Sequence, residues 1–369
     1  MVHPTAHPQL ERSILAVLTG TSVAEAATGA GIPAADLAVA AETYRCAGRS
    51  AIAAPPDTWV HVNIQPTDWP GAETQIALRL APALRRAEAR GSVTMWWYVR
   101  KHPYWRLRLH SGPDNNPATL RISLALLLDR LRDEGAIAAW SHGIYEPETA
   151  ALGGPLGVDA AHALFHTDSR AILLEALRTH HGQQAAPSIG RRELSILMCS
   201  AMLRAAGQEW TEQGDVWARV AAMRPGAAEP GTESAPAIAD KIGVLLAADT
   251  IAMTGPGQFL DTAADRIHAF AHAGSDLAGA AHHGGLTRGL RAVLAHMVVF
   301  HWNRAGIPTA DQALLARGAR SHILGAPRAH PARPHPWTSR AAVPSTSEPM
   351  NTVRRAGGSA IELPSRAVD

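Results

Sequence analysis

The sequence predicts an α+β fold: a ferredoxin-like β-α-β-β-α-β sheet with an appended helical half and a small N-terminal helical module. Three observations lead there. Between residues 59 and 148, runs of period two alternate with runs of helical period in that order. From about Asp159 the pattern turns almost entirely helical. Before residue 55 an Ala-rich block carries three short helical patterns, each closed by a glycine. The 369 residues, 46% hydrophobic and 18% charged, suffice to bury a core.

In the N-terminal block, "ERSILAVLTG", "SVAEAATGAG" and "IPAADLAVAAETYRCAG" read as helices stopped at Gly20, Gly31 and Gly48, with Ser22 as an N-cap. Three such helices have the layout of a helix-turn-helix module. A DNA-reading helix needs exposed bases, however, and the stretch Ile32–Gly48 has Arg45 against Asp36 and Glu42. Packing or interaction is the expected role.

"AAPPDT" (53–58) is a hinge. After it "WVHVNIQ" (59–65) alternates as a strand, and 71–91 has a helical period that Pro82 should kink. "SVTMWWYVR" and "YWRLRLH" form two strands joined at Lys101-His102-Pro103. Residues 116–135 make an amphipathic helix, and "AIAAWSHGIYEPE" a fourth strand. Helices follow over 160–181, 191–207, 214–224, 236–253, 258–280 and 286–306, with a loop at 225–236. The tail is rich in Pro, Arg and Ser and is expected to be disordered. The divisions are 1–55, 58–325 and 326–369.

A formal net charge of +2 gives no general field for nucleic acid or membrane. Two cysteines, Cys46 and Cys199, make neither a disulfide scaffold nor a thiolate zinc site. The N-terminus lacks a signal-peptide profile and no run of eighteen apolar residues occurs, so a cytoplasmic location is expected. The glycines at 153, 154 and 157 lack the lysine and hydroxyl of a phosphate loop. His268 and His272 are four apart without the adjacent glutamate of a zinc protease, so no metal is expected.

Three stretches are chemically unusual. "LAHMVVFHWNRAG" (294–306) is a helix of core quality carrying polar groups. At about 100° per residue Asn303 returns nearly to the azimuth of His296, Phe300 and Arg304 lie within a quarter turn, and His301 points elsewhere. The same spacing also describes a buried histidine satisfied by a backbone carbonyl, with an arginine closing the helix before Gly306. In "YWRLRLH", Arg106 and Arg108 emerge from one strand face and Trp105 shares the leucine face. Two such guanidiniums make a fork for carboxylates, or simply a solvated face. Glu146 and Glu148, on one side of the following strand, are positioned to pair with them.

Together "WWYVRKHPYWRLRLH", "YEPE…GGPLGVDAAHALFHTDS", "RRELSILMCSAMLRAAG", "EQGDVWARV" and "LAHMVVFHWNRAG" resemble, in order over about residues 58–306, the thiopeptide-type bacteriocin biosynthesis domain. That domain is similar to the C-terminal glutamate-elimination domain of class I lantibiotic dehydratases. The resemblance implies a lyase that removes glutamate from glutamylated Ser or Thr of a ribosomal precursor peptide, leaving dehydroalanine or dehydrobutyrine. It implies His296, Arg106 and Arg108 as the catalytic set and no cofactor. Tyr145, Glu146, Glu148, Asn303 and Arg304 are expected to bind substrate. The implied partners are the precursor peptide, leader and core, and a separate tRNA-dependent glutamylating subunit; no direct contact with nucleic acid or membrane is expected.

One departure stands out. Lantibiotic dehydratases carry an arginine before the Gly-Gly that follows Tyr-x-x-Glu, and this chain has Ala151 and Leu152 there. Two other activities therefore stay open. One is the pyridine-forming [4+2] cycloaddition hosted by the same fold. The other is a non-catalytic scaffold that takes the leader as an added strand.

Overall fold

The computed structural model describes residues 7–53, 58–112, 115–183, 189–225 and 235–325. Most of the hinge at 53–58, most of the loop expected at 225–236 and the tail at 326–369 lie outside them.

Four strands, β1 (Trp59–Pro66), β2 (Val93–Lys101), β3 (Tyr104–Ser111) and β4 (Ile137–Gly143), pair throughout as antiparallel neighbours in the order β2-β3-β1-β4. Period-two alternation gives the sheet two unlike faces. Val60, Val62, Ile64, Trp105, Leu107 and Leu109 are buried on one. Ile76 of helix α4 (Ala72–Arg79) and Leu84 of α5 (Ala81–Ala89) share that side with Ile64 and Leu107. The other face aligns Trp59, His61 and Asn63 of β1 with His110, Arg108 and Arg106 of β3. Met95, Trp97 and Val99 of β2 continue the same rows.

Pro82 acts as expected. The helical run over 71–91 breaks at Leu80, and the proline, which has no N–H to donate, sits in the first turn of α5 where none is needed. Helix α6 (Pro117–Asp133) starts from Asn116, whose Oδ1 accepts the Ala118 N–H at 2.8 Å.

The helical half contains α7 (Pro155–His180), α8 (Arg191–Ala205), α9 (Trp210–Ala222), α10 (Ala235–Ala247), α11 (Ala264–His282), α12 (Leu290–Ala305) and α13 (Thr309–Leu324). The edge of β2 is closed by α7: the Tyr98 N–H donates to Ser169 Oγ at 3.3 Å, and His166 Nδ1 reaches the Trp96 carbonyl at 2.9 Å. Two elements differ from the sequence reading. The helices expected at 236–253 and 258–280 are separated by short 3-10 turns, Ala252–Thr254 and Asp261–Ala263. Helix α13 was not expected; its Ala-Arg-Gly composition gives little apolar contrast, yet Ala313, Ala316 and Ala319 bury completely.

The N-terminal block forms α1 (His7–Leu18), α2 (Val23–Ala30) and α3 (Ala34–Ala53) around their own small core of Ile14, Ala27, Leu37 and Ala41. Ser22 caps α2, accepting the Glu25 N–H at 3.2 Å, and Gly31 ends it in the left-handed region at φ 65°. Gly48 does not stop α3, which runs on to Ala53.

Candidate active site

The mixed polar and aromatic face of the sheet centres on Arg108, which is only 3% exposed. Its guanidinium lies 4.2 Å above the Trp97 ring and 5.3 Å from Tyr145. Its Nη1 donates a long hydrogen bond, 3.4 Å, to the Arg106 carbonyl, and among the described residues its Nε has no partner. Among the described residues no carboxylate pairs with it. Burial pushes its pKa down to about 10, the Glu148 charge opposing that, so it remains a cation at neutral pH. Aromatic faces thus stand in for the counter-ion a buried charge ordinarily requires. Arg106 lies beside it on the same face, half-buried, its Nε also without a partner.

Around this cation burial favours the neutral forms of Tyr145, His162 and His61. The Tyr145 hydroxyl and His162 Nε2 are 2.5 Å apart. Burial, then the Arg108 charge, pushes the His162 imidazole down to about 4. Trp59 packs on both, with centroids 5.0 Å from Tyr145 and 4.7 Å from His162. His61, opposite Arg108 on β1, donates from Nδ1 to the Ile144 carbonyl at 3.1 Å. Burial and then Arg108 lower its pKa as well.

His296 lies on α12, on the helix face that also carries Val293 and Phe300. Val293 fits against Gly153, where a Cβ would come within 2.8 Å of it and where φ is +82°. Phe300 stacks on Phe165 at 5.0 Å, and Phe165 packs at 5.0 Å on Trp97, the ring beneath Arg108. Half-buried His296 donates from Nδ1 to the Ala292 carbonyl at 2.9 Å. That bond fixes the tautomer and leaves the Nε2 lone pair as the basic site.

The substrate-binding set expected from sequence does not assemble. Arg304 is fully buried, and its Nε donates to Asp168 Oδ2 at 2.8 Å. Its 80° offset from His296 is enough to turn it into the interior between α7 and α12. Asn303 shares the azimuth of His296 but stands seven residues along, where its Oδ1 accepts from Arg224 and Gln312 at 3.3 and 3.2 Å. Gln312 belongs to α13, the helix the pattern did not reveal. Glu146 and Glu148 are exposed and form no ion pair with Arg106 or Arg108; Glu148 acts on Arg108 only through its field. Tyr145 does lie in the cluster.

Asp168 organises a second, interior cluster. Its carboxylate takes Arg266 Nε, Arg304 Nε and His301 Nδ1, each at 2.8 Å. Burial alone would raise its pKa, but these neighbours overcome that and hold it well below the usual carboxylate range. His301 Nε2 lies 3.1 Å from Ser195 Oγ, so Asp168, His301 and Ser195 have the order of a nucleophile triad. All three are completely buried and the Ser195 oxygen accepts from Trp302 Nε1 at 2.6 Å. No substrate reaches it, and the cluster serves as an internal clamp on α12.

Sequence reasoning missed His162, His61 and Arg288. His61 and Asn63 were already visible as the polar positions of an alternating strand, and pairing that strand with β3 would have set them beside the arginines. His162 gave a weaker signal, three residues before Phe165 on one helix face. Arg288 precedes α12 and reaches back to the Ala151 carbonyl at 3.2 Å; nothing local announces that contact. Among the described residues no helix is long and apolar enough to cross a membrane.

Fold and site together define an α+β protein that holds on its sheet a buried cation over an aromatic bed, and on α12 a half-buried histidine of fixed tautomer. The family described as lantibiotic biosynthesis dehydratase C-term matches residues 59–323, and the chain belongs to it. The match reaches into α13, beyond the span the sequence motifs cover. Among solved structures the fold is similar to the tRNA dependent lantibiotic dehydratase MibB from Microbispora sp. 107891, with a TM-score of 0.52 and 16% identity. That likeness covers 73% of this chain and 28% of the dehydratase, so the chain spans less than a third of that protein's length. A second structure, of TsrL, covers 72% of this chain and 95% of its own at 16% identity and a TM-score of 0.41. No curated protein matches the chain.

Proposed function

We propose that the chain eliminates glutamate from glutamylated serine or threonine of a ribosomally made precursor peptide, a separate subunit supplying the tRNA-dependent glutamylation. The observation that carries this reading is Arg108: a buried guanidinium without a carboxylate, which an anionic group would complete. His296 Nε2 removes the Cα proton of the acylated residue. Charge gathering on the peptide carbonyl faces Arg106 and Arg108, the Cβ–O bond breaks, and glutamate departs as a carboxylate. Since the Arg108 guanidinium is stacked on Trp97 before reaction, little reorganisation of it is needed as charge develops.

The sheet fits this reading as a ferredoxin-like arrangement, with β1 and β2 on either side of β3 and α4–α5 as their connection. The cycloaddition reading draws on Ala151 and Leu152, which stand where related dehydratases have arginine. Arg288 answers that departure, bringing a guanidinium to the same turn from the other side.

The test is His296→Ala, given glutamylated peptide and followed by mass spectrometry. Elimination should fall by about 10²–10⁴-fold, the usual share of a general base, with the circular dichroism spectrum unchanged. Full elimination by this variant would overturn the proposal. A product joining two dehydroalanines would assign cycloaddition instead.

A further inference from the structure

A cavity of about 270 Å³ opens between α5 and α6, on the side of the sheet opposite Arg108. The two sites are separated by strand alternation, since Leu109, which lines the cavity, is the neighbour of Arg108 on β3. The floor is hydrocarbon, from Leu84, Leu109, Leu120, Leu124 and Leu127. The charged side chains lining it are Arg86, Arg90 and Arg130, and no carboxylate is among the lining residues. All three arginines are exposed and form no ion pair among the described residues. Three like charges around one opening repel one another, so each is stabilised by an anion that enters.

The walls are held in shape before anything binds. Ser92 Oγ donates to the Ala87 carbonyl at 3.0 Å, fixing the end of α5. Asn115 Nδ2 donates to the Gly91 carbonyl at 3.1 Å, tying the chain after β3 to the turn before β2. Gly112 permits that approach, because a Cβ there would lie 2.0 Å from the Gly91 oxygen. The first turn of α6, from Asn116 to Thr119, also faces the cavity and adds the positive end of a helix dipole.

We infer that this cavity is a docking site for an acidic, leucine-like segment of polypeptide, an apolar side chain on the floor and flanking carboxylates on the arginine rim. The chemistry is that of an anion joined to hydrocarbon. The volume is below the roughly 300–1,000 Å³ of sites that engulf a whole small ligand, and fits one or two anchoring side chains of a longer chain. The inference rests on the proposed function only in taking a peptide as substrate. A segment seated here is remote from the residue reacting at Arg108, so the site holds the peptide by a part that is not modified.

The experiment measures binding, so it stands apart from activity. A fluorescein-labelled octapeptide of alternating leucine and glutamate is titrated with the full-length chain and read by fluorescence anisotropy. Octapeptides with lysine for glutamate, or serine for leucine, are the controls. Arg86→Glu, Arg90→Glu and Arg130→Glu together should weaken the acidic peptide at least tenfold, and Arg130→Glu alone severalfold, should the triple variant fold poorly by circular dichroism. Leu120→Asp should weaken it comparably, while His296→Ala should bind as the unaltered chain does. Unchanged affinity in the arginine variants overturns the inference. So does equal binding of either control peptide, or equally tight, arginine-dependent binding of an oligouridylate. Intact peptide binding without any elimination would remove the proposed function and leave this site standing.

Discussion

Arg108 and Arg304 are both buried guanidiniums stacked on aromatic rings, over Trp97 at 4.2 Å and Phe165 at 4.3 Å. Phe165 touches Trp97, so the two stacks are neighbours. They differ in what neutralises them. Arg304 shares Asp168 with Arg266 and His301 in an interior from which solvent is excluded. Arg108 has two rings and the distant field of Glu148. Arg304, although its Nη1 and Nη2 have no hydrogen-bond partner, is held against a carboxylate deep in the interior, and its role is to hold helices together. An uncompensated charge is stable only because its surroundings over-determine it, and it is the one that gains most from a ligand.

The largest expected effect breaks the compensated side. Asp168→Asn removes the one negative charge shared by Arg266, Arg304 and His301. Stranding those groups should cost about 3–5 kcal/mol of folding stability, seen as a lowered urea midpoint or as loss of soluble protein. A variant as stable as the unaltered chain would show that the cluster clamps nothing.

On the uncompensated side the same kind of change should act oppositely. Arg108→Met keeps a long side chain on Trp97 and removes a buried charge that has no carboxylate partner among the described residues. Stability should hold or rise by roughly 1 kcal/mol, while elimination falls by about 100-fold for loss of a fixed cation at the developing charge. Urea melts and mass spectrometry on one preparation read both. A variant that loses stability and activity together would make Arg108 a second clamp.

Much of this contrast was legible in the sequence, and the reason for its limits is specific. Strand alternation placed Arg106 and Arg108 on one face and Trp105 on the other, because side chains on a strand have no other choice. The break near Pro82 and the cap at Ser22 followed from equally local chemistry. Helical azimuth could group His296 with Asn303 and Arg304 but could not say what packs against each turn. Asp168 lies 136 residues before Arg304, and Gln312 lies on a helix whose alanines hide its amphipathic pattern. Compensation of charge is a property of tertiary neighbours, and it is the property that separates Arg108 from Arg304.

A smaller effect sharpens the comparison through pH. His162, beside Arg108, is held near 4 when folded against an ordinary value near 6.5. Below 6.5 the unfolded chain takes up a proton that the folded site refuses. The contribution of this site is therefore complete above 6.5 and is lost as pH falls toward 4, by on the order of 2 kcal/mol. His162→Phe keeps a ring in the cluster and removes that dependence. The stability difference between the two proteins should shift in favour of the variant between pH 7.5 and pH 4.5. His61 and His301, whose pKa values are also lowered, titrate in both proteins and cancel. A constant difference would mean that neither burial nor the Arg108 charge disfavours the protonated imidazole.

The smallest effect concerns a third arginine, intermediate between the other two. Arg288 Nη1 donates to the Ala151 carbonyl, and the neighbouring Thr287 N–H donates to the Gly153 carbonyl at 2.9 Å. The start of α12 is thereby tied to the glycine turn, with a half-exposed guanidinium whose charge no carboxylate neutralises among the described residues. Arg288→Gln retains an N–H for Ala151 and deletes the charge, which separates tethering from attraction. If the charge draws the departing glutamate, KM for glutamylated peptide should rise about fivefold, as expected for a partly solvated ion pair, with kcat and urea midpoint nearly unchanged. If Arg288 only tethers the turn, glutamine would replace it without effect and Arg288→Ala would lower stability instead. Unaltered kinetics in the glutamine variant would place Arg288 with Arg304, among the cations whose work is finished once the chain has folded.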